Sequence, residues 1–89
     1  MIDIKEINDS TFQVIVKERT TTKHEVTISD NYYQKLTAGK IPKEKLLRIS
    51  FEFLLKREGN TSILSRFDLP VIGRYFPEYE DNIRRGLRV

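Results

Sequence analysis

The stretch Pro42–Tyr79, PKEKLLRISFEFLLKREGNTSILSRFDLPVIGRYFPEY, decides the fold. It holds six of the nine aromatic residues and six of the eight leucines. Its first block predicts a helix from Pro42 to Glu58. At about 100° per residue, Leu46, Leu47, Phe51, Phe53, Leu54 and Leu55 cover about half of its circumference. An ordinary surface helix buries an arc of only about 100°. The helix is therefore expected to be packed on two sides. Lys45, Arg48, Glu52 and Lys56 form its polar strip, and Arg48–Glu52 and Glu52–Lys56 have i,i+4 pairing distance. Pro42 suits a first turn, where its missing N–H is not needed, and Gly59 suits the end.

Beyond Gly59, short helical pieces are expected to fold around this helix. Asn60 or Thr61 is a candidate cap. Ile63, Leu64 and Phe67 form one apolar edge; Val71, Ile72, Tyr75 and Phe76 form the next, after Asp68-Leu69-Pro70. A last helix is expected from Pro77 to Arg85. Glu78, Glu80 and Asp81 stand at its start, and Arg84 and Arg85 at its end, the order that the helix dipole favours.

Before Pro42 the pattern changes to period two. Ile2 and Ile4 share a face, as do Phe12, Val14 and Val16, and then His24, Val26 and Ile28. Such alternation predicts half-buried strands. Asn8-Asp9-Ser10 supplies one turn and Arg19-Thr20-Thr21-Thr22 a hairpin loop. Ser29 or Asp30 can cap a short helix over residues 31–38. The predicted fold is α+β, one domain over residues 1–89. An antiparallel meander of two or three strands (1–29) packs on a subdomain of four to five helices (30–89).

The chain has 89 residues, a net charge of +3, 33% charged residues and no cysteine. Disulfides, thiolate zinc sites and cysteine nucleophiles are excluded. The absence of staples fits a reducing cytoplasm. The longest aliphatic or aromatic runs, such as Val14-Ile15-Val16, are far short of the roughly 20 residues of a membrane span. The four scattered glycines fit neither a Walker nor a dinucleotide pattern. His24, the one histidine, lies on an apolar strand face and is expected to be structural. The Glu78, Glu80, Asp81 cluster is expected to serve the dipole rather than a metal. Neither a cofactor nor a metal site is expected, and Ser62 and Ser65 have no local triad partner.

Two patterns speak for nucleic acid. Thr61–Phe67, a turn, then Val71–Phe76 has a helix-turn-helix rhythm, with Arg66, Arg74, Arg84 and Arg85 as candidate contacts. Residues 23–58 resemble the ribbon-helix-helix order, which implies groove reading by Lys23, Glu25 and Thr27. A basic run, Lys35, Lys40, Lys43, Lys45 and Arg48, reads first as a solvated face. FEFLLKRE, SILSRFDL and YFPEY resemble segments of small bacterial proteins without an assigned activity; the resemblance implies a cytoplasmic bacterial setting. The expected function is a non-catalytic binding or regulatory module. Nucleic acid leads as partner. A protein partner or homodimer held by Tyr32, Tyr33 or Tyr79 is the alternative, and a small enzyme comes third.

Overall fold

The computed structural model describes residues 1–87. Three strands come first: β1 (Ile2–Asn8), β2 (Thr11–Lys17) and β3 (Thr21–Thr27). They form the antiparallel meander that the alternation predicts. Ser10 N–H donates to Asn8 Oδ1 at 3.0 Å, closing the first turn through an asparagine side chain. The second hairpin turns at Glu18, Arg19 and Thr20, so Thr21 and Thr22, expected in the loop, belong to β3. Ile2, Phe12, Val14, Val16, His24 and Val26 are buried on the inner face.

The sheet has a fourth strand, β4 (Arg66–Asp68), in the order β1-β2-β3-β4. It runs parallel to β3, with Phe67 opposite Val26. The division into a meander at 1–29 and a helical half at 30–89 is therefore corrected: the second half returns a strand to the sheet. The expected helical edge at Thr61–Phe67 is instead a 3-10 turn (Asn60–Ser62), an extended passage and β4. Main-chain pairing outweighs the apolar spacing here. Ser65 C=O accepts from Glu25 N–H at 2.8 Å, and Leu69 N–H donates to Thr27 C=O at 2.9 Å.

The described residues form four α-helices, α1 (Asp30–Thr37), α2 (Lys43–Leu55), α3 (Val71–Tyr75) and α4 (Tyr79–Gly86); α2 packs on β1, and α4 packs on the other three helices. Ser29 caps α1, its Oγ accepting from Tyr32 N–H at 3.1 Å. Ala38 (φ 54°) and Gly39 (φ 72°) turn the chain left-handed after it; a side chain at Gly39 would be strained. Leu46, Leu47, Phe51, Phe53 and Leu54 of α2 are all buried, so the two-sided packing holds. The polar strip is not self-paired as expected. Arg48 Nη1 instead donates to the Ile2 carbonyl at 2.8 Å, tying α2 to β1.

Two polar side chains inside the core escaped the periodicity. Ser50 Oγ donates to the Leu46 carbonyl within α2 at 2.7 Å and accepts from the Tyr79 hydroxyl at 2.7 Å. Burial raises the Tyr79 phenol above its ordinary range, so it stays protonated as the donor. Among the described residues no helix is long and apolar enough to cross a membrane.

Candidate functional site

The four nominated arginines do not form one surface. Arg66 lies on the outer face of β4, its Nε 3.3 Å from Glu25 across the β3–β4 pair. Arg74 is exposed on α3. Arg84 and Arg85 sit in the last turn of α4, with Arg84 Nη2 3.8 Å from Glu80. The helix-turn-helix reading is corrected, because its first helix is the 3-10 turn and β4, and α3 has five residues. For the ribbon-helix-helix order, β3 has neighbours on both edges. The major groove, about 12 Å wide, admits a two-stranded ribbon. Lys23, Glu25 and Thr27 are carried on the open face of a four-stranded sheet instead.

The expected aromatic anchors are largely consumed by the fold. Tyr79 is fully buried. The Tyr32 hydroxyl donates to Glu80 Oε2 at 2.8 Å, and burial together with that carboxylate raises its pKa. The Tyr33 hydroxyl donates to the Ile41 carbonyl. The acidic cluster is likewise dispersed: Glu78 pairs with Arg57 at 3.2 Å, and Glu80 with Tyr32 and Arg84. Among the described residues no group of three acidic or imidazole side chains could hold a metal.

The aromatic that does stand out is Tyr75, 67% exposed, together with Leu64, 47% exposed. Both line an apolar groove of about 320 Å³. Leu54 from the end of α2 and Phe67 from β4 form its base, and Val71 from α3 one wall. Glu58 is the one charged side chain in its lining. The sequence does carry a signal: Leu64 and Tyr75 both belong to apolar edges of helical spacing. The change to extended chain after Ser62 leaves Leu64 without the helix that its spacing suggests.

The groove's β4 wall is fixed by a buried polar relay. His24 Nδ1 lies 2.7 Å from the Leu64 carbonyl, so that nitrogen carries the proton. Its Nε2 then accepts from the Thr22 hydroxyl at 2.8 Å. Asn60 Nδ2 donates to Thr22 Oγ1 at 3.0 Å and to the Thr20 carbonyl at 2.7 Å. Asn60, expected as a helix cap, thus anchors the 3-10 turn to the β2–β3 hairpin. His24 anchors Leu64 to β3.

Beside the groove, β4 has one sheet neighbour. Ser65 and Leu69 direct their main chain at β3. By strand alternation Arg66 and Asp68 direct theirs to the open edge. The site therefore combines an apolar trough with a short row of main-chain donors and acceptors that have no partner among the described residues. Its lining offers one carboxylate and no nitrogen base to work against it. Comparison of the chain with protein-family models, curated proteins and solved structures finds no match.

Proposed function

We propose that this chain is a non-catalytic binding module that takes an extended segment of a partner protein along β4. The exposed pair Leu64 and Tyr75, bordering a groove next to an open strand edge, carries this reading. Covering such a side chain is worth about 1.5–3 kcal/mol. A strand added to an edge gains main-chain hydrogen bonds and lays alternate side chains into the adjoining pocket. Here those side chains would be apolar, facing Phe67, Leu64 and Val71. Arg74, exposed on α3 beside Tyr75, favours a segment that also carries a carboxylate. One of the four arginines expected to meet phosphate thus acquires a different role.

The test is a selection from a displayed library of short random peptides, followed by NMR titration of the best binders. The expected peptides alternate apolar residues and carry an acid. They should shift the amides of Ser65–Asp68 and of Val71 and Tyr75. Tyr75→Ala should weaken binding about tenfold or more, as buried tyrosine anchors do, with an unchanged circular dichroism spectrum. Peptides that shift only other surfaces, or that bind Tyr75→Ala equally well, would remove the proposal.

A further inference from the structure

A second surface gathers four basic side chains. Lys40 of the α1–α2 turn and Lys45 of α2 line one groove of about 350 Å³. Lys35 of α1 and Arg84 of α4 line an adjoining one of about 220 Å³, which Lys40 also borders. Neither lining includes a carboxylate. Arg85 is exposed next to Arg84. The sequence held these as two signals, a basic run and a basic helix end. Contact between α1 and α4 brings them together.

Elsewhere the fold neutralises some of its cations. Lys17 meets Asp3 at 3.1 Å, Lys43 meets Asp30 at 2.7 Å, and Arg57 meets Glu78 at 3.2 Å. Among the described residues, Lys35, Lys40 and Lys45 have no ion pair, and Arg84 has only the long one to Glu80. Helix dipoles account for part of this. Lys35, Arg84 and Arg85 stand at the C-terminal ends of α1 and α4, where carbonyls favour cations. Lys45 stands in the first turn of α2, where the dipole disfavours one. Lys40 lies between helices. Neither charge is used within the fold, which leaves both available to an external anion.

We infer that this cleft is a contact site for the phosphate backbone of nucleic acid, held by charge and without reading sequence. The lining has no aromatic ring on which a base could stack, which favours a duplex over a single strand. Its apolar members, Ile41, Ile49 and Leu87, are half-buried within the grooves and offer no side chain for insertion into a lipid surface. The concave, cationic shape instead fits a convex ridge of phosphates. The site is separate from the β4 groove, and the two proposals stand or fall independently.

The experiment is fluorescence polarisation of the full chain with a labelled mixed-sequence duplex over a salt series. Four neutralised phosphates predict a roughly 100-fold loss of affinity between about 50 and 200 mM salt. The Lys40→Gln, Lys45→Gln double variant should lower the log–log salt slope by about two and weaken low-salt binding about tenfold. The Lys5→Gln, Lys23→Gln variant on the open sheet face and Tyr75→Ala should bind as the parent does. Proton NMR dispersion checks that each variant is folded. Absence of duplex binding at low salt would overturn the inference. So would an unchanged slope in the cleft variant, or tighter binding to phosphatidylserine vesicles than to duplex.

Discussion

The two edges of the sheet are finished in different ways. β1 has seven residues, with a register shift between Glu6 and Asn8 that breaks the ladder. Met1 and Lys17 exchange both main-chain hydrogen bonds, so Ile2, Ile4 and Glu6 turn theirs to the open side. There Arg48 takes the Ile2 carbonyl. Lys5, Glu6 and the irregularity at Ile7 discourage a further strand, as edge charges and bulges do. β4 has three residues; Arg66 and Asp68 put charges on it too, but no register shift interrupts its pairing. Its outward main-chain groups meet no side chain among the described hydrogen bonds, and an apolar groove lies alongside. Long edges invite indiscriminate pairing, whereas a three-residue edge offers too little main chain to bind unless side chains add to it. The guarded edge protects the fold, and the short one leaves room for a selective partner.

The largest effect is expected from removing what holds β4 in place. Phe67 is buried under the strand, with its ring centroid 6.1 Å from that of Phe51. Phe67→Ala should cost about 3 kcal/mol, read by denaturant unfolding. Native-state hydrogen exchange should then show the β4 amides opening well before those of β2. Uniform loss of protection across the sheet would mean that the two edges form one cooperative unit.

His24→Ala should come next, at about 2–3 kcal/mol. It leaves the Leu64 carbonyl and the Thr22 hydroxyl without their partner, and an unmet buried polar group costs about 1–3 kcal/mol. It also removes the ring that packs on Phe51 at 5.4 Å. Peptide binding at the β4 groove should weaken with it, because the Leu64 wall loses its tether. Stability lost with groove binding intact would show that Leu64 is placed by packing alone.

How far the sequence disclosed these edges follows from how local each one is. Ile2, Phe12, Val14, Val16, His24 and Val26 alternate within chain segments that pair with their neighbours, so the meander was readable. The α2 face was readable for the same reason, since Leu46, Leu47, Phe51 and Leu54 recur within one helix. β4 was not. Ile63, Leu64 and Phe67 have helical spacing, and what makes them extended lies about 40 positions away, in β3 and His24. Short segments follow such tertiary demands over their own propensity. The groove, built from β4 and α3, was hidden along with it. Arg84 and Lys40 each stand out in the sequence, but only the packing of α4 on α1 puts them beside one cleft.

Arg48→Ala tests the guarded edge and carries the smallest expected effect, about 1 kcal/mol. The lost bond is charge-assisted but partly wet, and the aliphatic stem also gives up some packing. Its consequence for the edges is more telling than its size. With the Ile2 carbonyl uncovered, β1 offers a longer free edge than β4 does. If side-chain cover is what separates the two edges, Arg48→Ala should self-associate at high concentration, seen as a rising mass by light scattering. Adding Ile4→Lys, which places a charge on the same edge, should reverse it. If Arg48→Ala stays monomeric, the register shift after Glu6 suffices to close β1. Cover by arginine would then be a stability device alone, and the difference between the edges would rest on strand geometry and the groove.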